Sequence, residues 1–202
     1  MEKESNGYLR MQVYPAMQMG GEPSQLYDQG KERAADIVLF AVSHHLGRFP
    51  SVEVFNLPFK TQSAQGSSRA LWEYIQANNL ERQELKGVRL LAVFVSTPKA
   101  SDAAAVPDIY LLAMNSDAYK GLSDELKAVI KANSGAETSA WLGKTFDDGM
   151  GSPAPLAELE KSKQRAQLII DDRIKELDGR GLIGKELVES ARALILEYDP
   201  PK

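Results

Sequence analysis

Cysteine is absent from all 202 residues. That excludes disulfides, thiol nucleophiles and cysteine-type zinc sites, but it fixes no compartment, because exported bacterial chains often lack cysteine as well. Histidine is nearly as scarce: His44 and His45 are the only two, side by side. No His-x-x-His or Glu-x-x-His spacing accompanies them, so no metal site is expected. No apolar run approaches the length of a membrane span. The opening "MEKESNGYLR" has no apolar core, so no signal peptide is expected in this chain. The formal net charge is -4, and the basic residues are scattered rather than striped. That removes the electrostatic case for nucleic acid or an anionic membrane. The Gly20-Gly21 pair lacks both the G-x-G-x-x-G and the Walker spacing, so no phosphate cradle is expected.

What is present reads as an ordinary globular chain, 43% hydrophobic and 26% charged, long enough for one sizeable domain or two small lobes. "LRMQVYP" (9–15) alternates and predicts a strand ended by Pro15. A glycine loop follows. Residues 24–34 predict a short helix with Ser24 as N-cap. "ADIVLFAVS" (35–43) and "GVRLLAVFVS" (87–96) are near-continuous apolar runs suited to buried parallel strands. Between them, 63–79 carries apolar residues at helical spacing: Ala70, Leu71, Tyr74 and Ile75. The order β-α-β-α-β predicts an α/β fold with a parallel-type sheet flanked by helices. The expected organisation is a first part of an α/β lobe over 1–96, a linker over 97–108, a strand plus helix completing the lobe over 109–148, a second linker over 149–155, and C-terminal helices over 156–202. Within the third segment, 122–148 predicts one largely helical run opened by Ser123 as N-cap, with Asp124 and Glu125 in the first turn.

Three stretches together are specific: "VYPAMQMGGEPSQLYDQ", "ADIVLFAVSHHLGRFPSVEVFNLPF" and "SRALWEY". They resemble the DctP-type solute-binding proteins of TRAP (tripartite ATP-independent periplasmic) transporters. "IYLLAMNSDAYKGLSDELKAVIKANSG" and "IIDDRIKELDGRGLIGKELVESARALI" resemble the later parts of the same family. The resemblance implies a periplasmic-binding-protein-like lobe with long C-terminal helices, and capture of a small organic anion for transport. It also implies a periplasmic location, TRAP membrane subunits as partners, no cofactor and no enzymatic activity. Departures accompany it. The chain opens where the family's first long helix would end. The family's central segment, with most of the second lobe and the arginine that clamps the ligand carboxylate, has no counterpart between residues 96 and 109. A monomer so shortened is expected to bind the family's substrates weakly or not at all. The alternative expectation is a non-binding single-lobe scaffold that forms a homodimer through an exposed cleft wall around Phe40, Val42, Leu46 and Phe59.

The family's ligand contacts after the second strand correspond here to Ala41, Ser43, His44 and His45, with Phe59 beyond the next turn. Relatives of the dicarboxylate type carry "PGYTPGRFP" where this chain has "VSHHLGRFP", so a tyrosine and a threonine become His44 and His45. A histidine can donate to a ligand carboxylate. Neighbours in an extended segment point apart, so one histidine is expected at the cleft wall rather than both. Ser43, His44 and Asp36 suggest a hydrolytic triad only on paper, because no nucleophile elbow surrounds them. Arg48 is expected to brace its turn. Asp147 and Asp148 are expected as a solvated acidic pair. Tyr14, Met17, Trp72 and Trp141 are expected to pack. The family's "DDWI" tryptophan is replaced by Arg173, which is expected on a solvated helix face.

Overall fold

The structure, a computed structural model, describes residues 1–59, 61–96, 107–150 and 163–200. Most of the two linkers expected over 97–108 and 149–155 therefore lies outside the described residues. Three strands form one sheet in the order β1-β3-β2: β1 Ile37–Ala41, β2 Val88–Ser96 and β3 Asp108–Asn115. Both pairings are antiparallel, with Ala41 opposite Tyr110, Phe94 opposite Tyr110 and Ser96 opposite Asp108. β1 and β2 do run in the same direction, as expected of an α/β lobe, but they are not neighbours, because β3 lies between them. β2 is covered on both faces, whereas Leu39 of β1 is 48% exposed; an apolar run marks a strand but does not name the strand beside it.

Seven of the described helices frame the sheet's surroundings and the site. They are α1 Leu26–Lys31, α2 Ala64–Ala77, α4 Ser116–Lys120, α5 Asp124–Ala132, α6 Ala136–Met150, α7 Lys163–Gly179 and α8 Gly184–Tyr198; the short α3 covers Leu80–Glu84. The main core buries Val38, Phe40, Val93, Val95, Ile109 and Leu111 from one sheet face against Leu71, Tyr74 and Ile75 of α2 and Val188 and Ile195 of α8. A smaller cluster of Leu91, Met114, Ala118 and Ile130 closes the opposite face under α4 and α5. The alternation of side chains along each strand divides the residues between the two.

The run expected as one helix over 122–148 is two. Ser123 caps α5, its Oγ accepting from the Leu126 N–H. The chain then turns at Gly135, whose φ of +102° favours glycine, and α6 begins. That break is used. The Gly135 N–H donates to Leu91 O at 2.7 Å, and the Val93 N–H donates to Ser139 Oγ at 3.0 Å. The Val95 N–H donates to Ser68 Oγ at 2.9 Å. Helix groups thus satisfy the outer edge of β2, where another strand would otherwise be needed.

Several expectations are corrected. Residues 9–15 form no strand: the segment is exposed irregular chain, since its alternating apolar residues find no sheet edge to join. Ser24 is not a helix cap; it lies inside a 3₁₀ turn over Pro23–Gln25. Trp72 packs on the core, but Trp141 is 63% exposed, because α6 turns its Ala140 and Gly143 side inward instead. Tyr14 is exposed and Met17 half-buried. Asp147 is no solvated spectator. Its carboxylate accepts the Ala64 and Gln65 N–H groups at 2.9 and 3.0 Å, capping α2 from a neighbouring helix.

Candidate functional site

β1 ends at Ala41 and runs straight into a 3₁₀ turn, Val42–His45. The turn sorts the two histidines. His45 is 6% exposed and enters an aromatic cluster with ring centroids 5.2 Å from Phe40, 5.9 Å from Phe49 and 6.3 Å from Tyr27. Its Nε2 is buried without a hydrogen-bond partner. Burial pushes its pKa below the usual histidine value near 6.5, and the Arg48 charge adds to the effect. His45 is therefore a neutral packing residue, and the expectation that it touches a ligand is not what its burial favours. His44 is exposed. The two side chains point apart, as expected of neighbours, although the segment is a 3₁₀ turn and not extended.

Ser43 Oγ donates to Asp108 Oδ2 at 2.8 Å, which ties the end of β1 to the start of β3. Ser96 Oγ accepts the Asp108 N–H at 3.1 Å, bringing in the end of β2. Two residues further into the sheet, Ala41 lies opposite Tyr110. Tyr110 stacks on Phe94 with ring centroids 4.6 Å apart and planes 4° from parallel, and Phe146 of α6 lies 6.3 Å from Phe94. All three rings are half-buried. Burial pushes the Tyr110 hydroxyl above its usual range, and the neighbouring Asp108 charge does the same. The end of the sheet thus presents an aromatic ledge with Ser43 and Asp108 at its end, and the exposed His44 follows Ser43 in the chain. Phe94, Tyr110, Phe146 and Asp108 were not singled out in the sequence. Their signal was the pair of strand ends flanking residues 97–107, which an antiparallel register sets opposite each other.

Phe59 does not join this group. It packs edge-on to Phe55, 6.4 Å away, and lies against the main core. The cleft wall imagined around Phe40, Val42, Leu46 and Phe59 is also corrected. Phe40 and Val42 are fully buried, and only Leu46, 77% exposed, faces solvent. The triad on paper does not assemble, since Ser43 is bonded to Asp108 and Asp36 lies 3.6 Å from Arg33.

The turn that carries His44 is held firmly. Arg48 reaches Asp28 with two hydrogen bonds of 2.7 and 2.5 Å and lies 4.3 Å over the Tyr27 ring, the bracing role expected of it. It leaves Arg48 committed and not free for an anion. On the other side, Glu53, 7% exposed, accepts the Gly47 N–H at 2.7 Å and a hydrogen bond from Arg173 Nη2 at 2.9 Å. Arg173 was expected to be solvated; its side chain is only 15% exposed, because its guanidinium fills a polar slot against Glu53 and Pro50 O. Among the described residues no group of three or more histidine, aspartate or glutamate side chains is arranged to hold a metal ion. No described helix is long and apolar enough to cross a membrane.

Residues 1–107, more than half of the chain, match the family model of the bacterial extracellular solute-binding proteins, family 7, the DctP family. The chain belongs to this family. A TRAP solute-binding protein from Rhodoferax ferrireducens, crystallised with copurified benzoate, superposes with a TM-score of 0.88 at 27% identity, covering 98% of this chain and 90% of that one. A marine metagenome TRAP solute-binding protein specific for aromatic acid ligands, crystallised with 3-hydroxybenzoate, gives 0.85 at 26%, with 98% and 90% covered. A TRAP periplasmic solute-binding protein from Bordetella bronchiseptica, with bound mandelate, gives 0.77 at 16%, with 98% and 91% covered, a likeness of fold. In this DctP-family chain only residues 97–107 separate β2 from β3. The two strands pair directly with each other, on either side of the point where the sequence shows no counterpart of the family's central segment. Nothing in these likenesses supports a non-binding scaffold.

Proposed function

We propose that this chain is the ligand receptor of a TRAP-type periplasmic transport system and that its solute is a small aromatic carboxylate. The observation that carries the reading is the Phe94–Tyr110 stack at the sheet end that Ser43 and Asp108 tie together, with the exposed His44 next in the chain to Ser43. A flat ring extends the stack, and the imidazole of His44 donates to the carboxylate. The structures at 26–27% identity that hold benzoate and 3-hydroxybenzoate favour the same solute class. Ala41 and Ser43 line the ledge, and Asp108 restricts the carboxylate to the His44 side by charge repulsion. The membrane partners are the TRAP permease subunits.

Affinity is modest on this reading. One face of a benzoate ring covers roughly 100 Å², worth about 2.5 kcal/mol at 25 cal/mol per Å², and a hydrogen bond to the carboxylate adds about 1.5–3 kcal/mol. The sum, about 4–5.5 kcal/mol, corresponds to a dissociation constant of about 0.1–1 mM, and ordering costs place it at the weak end, near 1 mM. At 10 mM benzoate the stabilisation is then about 1.4 kcal/mol, a rise in melting temperature of about 3–6 °C. A thermal-shift titration with benzoate, 3-hydroxybenzoate and succinate tests this. The aromatic acids are expected to shift the wild type and not Tyr110→Ala, with His44→Ala reduced. A shift by succinate equal to that by benzoate, or a benzoate shift unaltered in Tyr110→Ala, refutes the reading. Micromolar binding by calorimetry would show that a further cation clamps the carboxylate.

A further inference from the structure

We propose that Arg173 and Arg180 are positioning residues that set the conformation of the turn carrying His44 and Leu46 from the far side of the lobe. Both polar backbone groups of Gly47 are bound to this end of α7. Its N–H is held through Glu53, which Arg173 Nη2 grips at 2.9 Å, and its carbonyl accepts directly from Arg180 Nη2 at 2.7 Å. Arg173 Nη2 also donates to Pro50 O at 2.9 Å. Glu176 keeps the two arginines in register, accepting from Arg173 Nη1 at 2.7 Å and lying 3.7 Å from Arg180 Nη1. Gly47 itself has φ +75°, a region that side chains avoid. The turn closes on itself through the Arg48 N–H, which donates to His45 O at 2.9 Å, and charge-assisted bonds from α7 add to that hold from outside.

These bonds differ from core packing in where they end. They reach the backbone between Leu46 and Pro50, not the sheet, and α7 packs otherwise mainly along α8. Loosening them weakens the hold on the backbone over residues 46–53, while the Phe94–Tyr110 ledge, which they do not touch, stays in place. A binding element populated in its competent shape only part of the time lowers affinity by that fraction. By reciprocity, a ligand on the turn strengthens the seating of α7. The effect on affinity rests on the proposed aromatic-acid reading; the effect on the turn does not.

The experiment is hydrogen–deuterium exchange on the full chain, wild type against Arg173→Met, Arg180→Gln and Arg173→Lys, followed by benzoate titration of each. Arg180→Gln is the milder change and covers the case in which Arg173→Met fails to fold. Exchange over residues 43–53 is expected to rise about tenfold in the Met variant, the loss of roughly one charge-assisted hydrogen bond. Peptides across α2 and β2 should be unchanged, and Arg173→Lys should restore part of the protection. Benzoate affinity should fall in step with the exchange. Unchanged exchange over 43–53 in folded Arg173→Met and Arg180→Gln overturns the proposal. So does a rise spread evenly over the lobe, which would make the arginines general stabilisers. If wild type ignores benzoate while 43–53 loosens as described, the ligand reading fails and the positioning role stands. If wild type binds and the loosened variants bind equally well, the positioning role fails.

Discussion

Replacing Asp199 by alanine should be the most damaging single polar change in the lobe. Asp199 is 4% exposed, just past α8, yet its carboxylate serves the start of α2. It accepts the Gln62 N–H at 2.5 Å, the Ser63 N–H at 3.2 Å, Ser63 Oγ at 2.8 Å and Ser67 Oγ at 3.2 Å. In Asp199→Ala all four donors lose an ionic acceptor. Ser63 can still cap Gly66 N–H, and Asp147 still holds Ala64 and Gln65, so the helix survives. The half-buried backbone donors at Gln62 and Ser63 and the fully buried Ser67 hydroxyl lose their acceptor at about 1–3 kcal/mol each, and allowing for non-additivity the expected loss is about 3–5 kcal/mol. For a chain of this size that lowers the melting temperature by roughly 6–20 °C. Chemical denaturation reads it as a lower midpoint with an unchanged slope. Asp147→Ala, which removes an ordinary cap, should cost only about 1 kcal/mol. A loss in Asp199→Ala no larger than that in Asp147→Ala would refute the claim that α8 fastens α2 through this carboxylate.

Other outcomes follow from the same packing. His45 is held neutral, with its pKa lowered by burial, so the folded lobe binds fewer protons than the unfolded chain. Its contribution is full above the unfolded value near 6.5 and declines as the pH falls from there toward the folded value. Denaturation midpoints at pH 7.5 and 5.5 should therefore differ less in His45→Phe than in the wild type. Gly143→Ala would drive a methyl group into the Ala64 carbonyl. Since backbone cannot yield as a side chain can, a loss of about 1–3 kcal/mol is expected by denaturation.

How much of this was legible from the residues alone depends on range. The apolar runs at 35–43 and 87–96 and the helical spacing at 63–79 announced β1, β2 and α2, because their signals are local. The neighbour relation among strands was not legible, since nothing in "IYLLAMN" states that it lies between β1 and β2. Residues 9–15 show the converse error: alternation marks a segment able to pair, and it remains irregular where no edge receives it. At the site, His44 and Ser43 could be picked out from the resemblance and from their place after a strand. Tyr110 and Phe94 could not, because their stacking depends on the antiparallel register across residues 97–107. Arg173 misled for a related reason. A charge on a helix implies solvent unless a buried acid more than a hundred positions away meets it, and Glu53 does.

The edge of β2 has a consequence for encounters between chains. Its outward-facing groups at Leu91, Val93 and Val95 are already engaged by Gly135, Ser139 and Ser68. A foreign strand arriving there would have to evict two helices before it formed its first bond. Recruitment of this sheet into a larger one, whether in a swapped assembly or in a fibril, is thus confined to the flank of β1, a strand of only five residues. The lobe guards itself against its own kind at the side where its sheet is longest.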